Sequence, residues 1–418
     1  MYLLLALLLA VQPFANLNST STPSGLFYAT LALCLGILGV RRAQGAASLS
    51  LQYRPLTICF SLLLLAIGLS SVYYGDWPGA NGEGAIRLFL GFWVSLLALQ
   101  YVPARYLQWS VQGFAAAGVV SAAVVLYLAW PDFQRPDTPA HNAVTYGSYM
   151  VYMAVVTVFS MGWQLTRYAK LELALKAAAA VFTILGFVLT QSRTGWLAIP
   201  VFALLAVVLY LGLQQWRRSL VVFSLVIIAF AGVFASSDAL RQRAVFAVER
   251  VVSCEIDGVL QNNSECIRLQ LYRASIDMFQ ERPFVGLGDG GRFNDALVNE
   301  SYPKGLVGDF LVSKDDFFGE PHNDLLFMLV SFGIPGFLGL LAAYLAPCWY
   351  FVRRLGASVP QPARVAAAMG LALCLGFLIF GLTETMFRRM HTLSFYAVFV
   401  AVFISLSDPR RYTSASAK

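Results

Sequence analysis

The sequence predicts an all-α, polytopic membrane protein of about twelve transmembrane helices. Three observations carry this reading. Of the 418 residues, 58% are hydrophobic and only 12% charged, whereas a soluble globular chain is near half apolar and about a quarter charged. Mean hydropathy is +0.67, and apolar runs of the roughly 20 residues that cross a bilayer core as a helix recur along the chain. Those runs are continuous rather than alternating, which argues against strand-based spanning.

In order, the runs place spans near 2–16, 24–40, 56–74, 85–103, 107–130, 143–164, 172–191, 194–214, 218–236, 323–352, 364–387 and 391–407. The first is short and weakly flanked by polar residues. It lacks the basic segment that opens a signal peptide, so it is read as a span. The chain then divides into nine transmembrane helices over 1–236, a loop domain over 237–322, three further helices over 323–407 and a tail at 408–418.

Orientation follows from the bias of Lys and Arg toward the inside. With both termini cytoplasmic, the inner segments hold fifteen Lys/Arg and the short outer loops five, namely Arg87, Arg135, Arg193, Arg388 and Arg389. The net charge of +7 is therefore mostly topology signal and no argument for nucleic acid. Residues 237–321 break the apolar pattern, with nine Lys/Arg and fourteen Asp/Glu. Long loops cross regardless of charge, so parity places this one outside, between spans 9 and 10. The stretch "IRLQLYRASIDMF" has helical spacing of apolar residues, so the loop is expected to be ordered and helical.

Cys34, Cys59, Cys348 and Cys374 fall within expected spans, where a thiol is a small apolar filler. Cys254 and Cys266 are the only pair in the loop, and an oxidising compartment would join them. A disulfide there implies a bacterial inner membrane with the loop in the periplasm.

Motif inspection removes several classes of chemistry. There is no Walker A pattern. "GLGDGG" at 286–291 lacks the strand–turn–helix context of a phosphate loop and reads as a tight turn. No Cys/His cluster has zinc spacing. Glu255 and Asp257 in "EID" read as solvated loop acids, a divalent-metal pair being the lesser alternative. The expectation is no metal and no cofactor.

Charged residues near membrane depth are costly and often functional. Arg193, in "TQSRTGWLAIP", sits in a short turn between two apolar runs. It is either a turn arginine reaching headgroups or an anion contact, and the residues leave both open. Arg268 and Arg273 are five apart and do not share one helix face. Local pairing with Glu265 or Asp277 is their plainer reading. His322 follows Pro321 and opens an apolar run, with Asn323 and Asp324 suited to a helix N-terminus. It is either a capping residue at headgroup level or a base, since a neutral imidazole can take a proton near neutral pH. His141 and His391 have less context and rank below it. An outer face with a candidate base and several arginines suits a lipid-linked phosphate substrate. The arginine fork matches phosphate oxygens, fixed cations stabilise a departing diphosphate, and a base deprotonates an attacking hydroxyl.

Three stretches together resemble one family. His322-Asn323, nine residues, then Gly333-Ile-Pro-Gly336 resembles the His-[Asn/Ser]-x9-Gly-x-x-Gly signature of the O-antigen ligase and polymerase superfamily. "SRTGWLA" at 192–198 and "RLQLYRASIDMFQERPFVGLG" at 268–288 resemble its two preceding motifs, in the right order around a large loop. Phe337 departs from the pattern, standing where many ligases have a further glycine. The resemblance implies a GT-C-like, metal-independent, inverting glycosyltransferase. Its donor would be an undecaprenyl-diphosphate-linked glycan and its acceptor the lipid A–core oligosaccharide, with the active site at the periplasmic face. By motif, His322 would be the base and Arg193 and Arg268 would bind the diphosphate. Tyr272, Arg273, Asn323, Arg388 and Arg389 are further candidates from placement. Gly333 and Gly336 would allow close helix approach, and Pro335 would kink their helix.

Rivals are the O-antigen polymerase, whose chemistry is nearly the same, and a protein O-oligosaccharyltransferase, which usually carries more chain after the last motif. A lipid-linked sugar transporter is the alternative outside enzymes. Paired inverted halves would mark it, and none is evident.

Overall fold

The computed structural model describes residues 1–44, 53–211, 249–256, 259–313 and 319–413, with isolated positions between 217 and 246. The helices used below are α1 (Tyr2–Asn18), α2 (Thr22–Ala43), α3 (Arg54–Tyr74), α4 (Gly79–Leu99), α5 (Ala104–Val111), α6 (Gly113–Ala129), α7 (Ala143–Ser160), α8 (Ala169–Leu189) and α9 (Thr194–Leu211). After these come α10 (Ser264–Glu281), α11 (Asp324–Val352), α12 (Gln361–Phe380) and α13 (Met390–Leu406). Among the described residues, eight helices are long and apolar enough to cross a membrane, α5 and α6 counting as one, and α1, α9 and α13 are shorter apolar helices. The protein is thus an all-α polytopic membrane protein. The span expected near 218–236 lies almost wholly outside the described residues.

Local chemistry sets where these helices start. Proline stands in the first turn of α2, α3 and α12, where its missing N–H costs nothing and its fixed φ suits the helix. Asparagine caps three others. Asn142 accepts from Thr145 N at 2.8 Å, Asn263 from Cys266 N at 3.0 Å and Asn323 from Leu326 N at 3.1 Å. Two boundaries differ most from the sequence expectation. Helix α4 begins six residues early, at Gly79, so Arg87, counted above as an outer-loop charge, lies about two turns inside it, paired with Glu83. The glycine-rich "GANGEGAI" gives no apolar signal for that first turn. Helix α12 ends at Phe380, not near 387, which leaves 381–389 as a loop.

Helices α7, α12 and α13 are buried along nearly their whole length, as helices apolar on all sides should be. Around them α4 packs on α13, α3 on α11, and α8 against α6 and α7. The loop domain has its own small core, in which Leu271, Ala274 and Met278 of α10 meet Leu287, Phe293, Leu297 and Leu311. Arg282 locks it with a two-pronged ion pair to Glu300, at 2.8 and 2.9 Å. Cys254 and Cys266 are disulfide-bonded, Cα to Cα 5.2 Å. A two-strand hairpin, Glu255–Ile256 with Val259–Leu260, is the sole strand pairing among the described residues.

The loop domain and the bundle are joined at a break in α11. Phe332 and Gly333 leave helical geometry, and Gly333 has φ 65° and ψ −162°, a region essentially open to glycine alone. The break therefore falls two residues before Pro335. The backbone groups it frees are taken up by the "PFVGLG" turn. Leu287 N donates to Val330 O and Gly288 N to Ser331 O, both at 2.9 Å, and Ile334 N donates to Pro283 O at 2.8 Å. Gly333 serves this docking rather than helix-to-helix approach, because a Cβ there would lie 2.6 Å from the Pro283 oxygen. Gly336 likewise meets its own helix, at Phe332 Cβ. "GLGDGG" is a docked turn, with Gly286 at φ 62° against the α11 backbone. Gly333→Ala is expected to lower stability by about 1–3 kcal/mol from backbone strain alone, read as an earlier thermal unfolding midpoint in detergent. An unchanged midpoint would refute the docking role.

Candidate functional site

Four chain segments converge at the loop-domain end of the bundle. They are the turn before α9, the first turns of α10, the turn before α11, and the 381–389 loop. Thr194 and Thr383 hydroxyls lie 2.8 Å apart. Tyr272 of α10 donates to Leu382 O at 3.1 Å, and Asn323 donates to the same carbonyl at 3.2 Å. Together these contacts fix the 381–389 loop between α9, α10 and α11.

Beside these segments lies a cavity of about 480 Å³, whose wall includes Arg135 and Asn142 from the α6–α7 connection together with Arg193, Glu265, Arg268 and Glu384. Arg193 pairs with Glu265 at 2.9 Å and is 65% exposed at its side chain. Arg268 stands 3.6 Å from Glu384, whose side chain is only 5% exposed. Arg135 has no carboxylate within ion-pair distance among the described residues. Three guanidinium groups face two carboxylates, so the wall carries one net positive charge. The first turns of α9 and α10 border the same space and bring the positive ends of their helix dipoles to it.

His322 lies one carboxylate behind this wall. Its Nδ1 is 3.5 Å from Glu384 Oε2 and 3.7 Å from Glu320 Oε1. That nitrogen is out of solvent, so the 28% exposure of the side chain falls on its other atoms. The backbone here is strained. His322 has φ 52°, and Gln191, two residues before Arg193, has φ 53°. Left-handed backbone costs a non-glycine residue about 1–2 kcal/mol, and such strain concentrates at functional sites.

Two pKa displacements belong to this wall. Burial pushes the Glu384 carboxyl up, but His322, a hydrogen bond from Asn142 and the Arg268 charge outweigh it and hold it below its ordinary value. Glu265 is held low in the same way, burial being outweighed by Ser264, its own backbone N–H and Arg193.

Of the remaining sequence candidates, Arg388 pairs with Glu320 at 2.9 Å, and Arg389 donates to His141 Nδ1 at 3.2 Å. Arg273 is exposed and outside the cavity wall. The local partners expected for Arg268 and Arg273 go elsewhere, since Glu265 takes Arg193 and Asp277 takes Lys304. His141 is a structural histidine. Burial, with His391 and Arg389 nearby, pushes it down to about 3, and its Nε2 meets Asn16 O at 2.7 Å.

Glu320, His322 and Glu384 bring one donor atom each within 4.8 Å of one another, the spacing of a metal site. Both carboxylates already face guanidinium groups, Arg388 on Glu320 and Arg268 on Glu384. Like charge from those arginines opposes a divalent cation, and the cluster fits an ion-pair network better. Glu255 is exposed, and Asp257 lies outside the described residues.

Sequence reasoning missed Glu384, Glu320 and the place of Arg135. Extending a span to 387 hid Glu384 within an apolar run. A glutamate at such depth, in "TETMFRR", was the available signal.

Residues 178–341 match the family model described as O-Antigen ligase. That stretch holds Arg193, Arg268 and His322 but not Glu384, and it bears out the resemblance to the O-antigen ligase superfamily. Over 177 residues the chain is 22% identical to an uncharacterized protein of Haemophilus influenzae (strain ATCC 51907 / DSM 11121 / KW20 / Rd). This covers 42% of the chain and 43% of that relative, so the chain spans less than half the relative's length.

Proposed function

We propose that the protein is an O-antigen ligase. It would move an O-antigen glycan from undecaprenyl diphosphate to the lipid A–core oligosaccharide at the periplasmic face of a bacterial inner membrane. The observation that carries this reading is that Arg193 and Arg268 line one cavity with His322 a single carboxylate away. The Lys/Arg bias and the Cys254–Cys266 disulfide support an outer, oxidising location for that end.

In this mechanism the donor's diphosphate lies against Arg193 and Arg268, with Arg135 and the first turns of α9 and α10 adding positive potential. Its polyprenyl chain stays in the bilayer. The acceptor hydroxyl gives its proton to His322 as its oxygen bonds to the anomeric carbon. The bond from that carbon to the diphosphate breaks, and the charge that leaves on the diphosphate is stabilised by the arginines. Attack from the face opposite the leaving group inverts the anomeric centre. The donor carries its own leaving group, so no nucleotide is required.

Purified protein incubated with lipid-linked O-antigen and rough lipopolysaccharide should place the glycan on lipid A–core. Product found only as a longer glycan on the polyprenyl lipid would overturn the ligase reading in favour of an O-antigen polymerase. Product on neither lipid would refute both.

A further inference from the structure

We propose that Glu384 is the positioning residue of His322, a role that rests on the transfer reaction above and extends it. Its carboxylate is 5% exposed and sits between two functional groups. Oε1 faces Arg268 at 3.6 Å, and Oε2 faces His322 Nδ1 at 3.5 Å. Asn142, the cap of α7, donates to Oε2 at 3.2 Å and holds the carboxylate in place.

The chemistry follows from which ring nitrogen faces which partner. In this structure Nδ1 is buried with no hydrogen-bond partner, and Glu384 Oε2 is the nearest carboxylate oxygen, at 3.5 Å. A carboxylate accepts, so closing that contact places the hydrogen on Nδ1. That tautomer leaves the lone pair on Nε2, away from the buried edge of the ring. Nε2 then takes the proton of the acceptor hydroxyl as the new glycosidic bond forms and the anomeric carbon–diphosphate bond breaks. The resulting imidazolium is stabilised by the adjacent carboxylate, the logic of an acid that orients and supports a catalytic imidazole. Glu320 is the other carboxylate near Nδ1, with its Oε1 at 3.7 Å. Arg388 and Thr385 hold its other oxygen, Oε2, and Glu384 stands nearer to the ring.

Glu384 also touches the donor's half of the site. A diphosphate competes with it for the Arg268 guanidinium. Once donor is bound, less of the Glu384 charge is answered by Arg268 and more by His322. Donor binding and readiness of the base are coupled through this one side chain. Long contacts in the empty site that tighten in the reacting complex are the usual pattern for catalytic hydrogen bonds.

The test is steady-state transfer by the full-length protein with lipid-linked O-antigen and rough lipopolysaccharide, His322→Ala and Glu384→Gln being run side by side. Glutamine keeps the size of Glu384 but removes the charge and turns one acceptor oxygen into a donor amide. E384Q should lower kcat by roughly 10- to 100-fold, the range for partners that orient a metal-bound imidazole, while the donor KM changes much less. E384D, which keeps the charge, should recover part of kcat, and a variant that only upset folding would not be rescued in this way. Unchanged kcat in E384Q, or a loss confined to KM, with H322A inactive would overturn the Glu384 role alone. Full activity in H322A would remove the base assignment and this inference with it.

Discussion

Replacing His322 with alanine is expected to slow glycan transfer by about 1,000-fold, within the range for a positioned general base, or about 4 kcal/mol of barrier. The binding of lipid-linked donor should change little, because the imidazole lies behind the cavity wall and the arginines form its face. In cells the variant should give rough lipopolysaccharide despite normal protein levels. His322 has φ 52°, which alanine tolerates less well than histidine, so folding needs its own control. Asparagine tolerates left-handed backbone and cannot serve as the base. His322→Asn should therefore melt near the parent temperature and still fail in transfer. Smooth lipopolysaccharide from a folded H322N would show that the imidazole is not the base.

How far the sequence reached depended on the kind of signal. Continuous apolar runs exposed the membrane fold because a bilayer demands length and hydrophobicity, and both are visible in one dimension. The cap at Asn323 was legible for the same reason, since it acts within its own helix turn. The break in α11 was placed at Pro335 because proline is the usual cause. The structure puts it at Gly333, where the partner is the turn at residues 283–288. Such a pairing, some fifty residues apart in the chain, leaves no local trace.

The site divides along the same line. Arg193, Arg268 and His322 rest on motifs, which report positions one by one. Their contacts lie across the fold. Glu265 reaches Arg193 over 72 residues, and Glu384 meets Arg268 and His322 from a loop between two spans. Arg135 was weighed only as a topology charge, because nothing near it in sequence shows that the chain returns it to the cavity wall. Charge partners set by tertiary return are what a single sequence withholds.

Removing Arg268 is expected to cost more than removing Arg193, and the difference follows from burial. A hydrogen bond to a charged group contributes about 1.5–3 kcal/mol, and the field of a cation is stronger where water is excluded. Arg268 is 34% exposed, beside a Glu384 that is 5% exposed, whereas Arg193 is 65% exposed. Arg268→Ala should therefore lower kcat/KM by about 100-fold, near the upper end of that range, and Arg193→Ala by about 10-fold. Lysine at 268 should restore only part, because a point charge does not reproduce the planar fork. The double variant should lose less than the product of the single losses if both cations hold one diphosphate. Neither the parent nor the variants should respond to EDTA or to added magnesium or manganese, since guanidinium groups occupy the carboxylates that a divalent cation would use. Activity lost in EDTA and regained with either metal would move the diphosphate from the arginines to a metal at Glu320, His322 and Glu384.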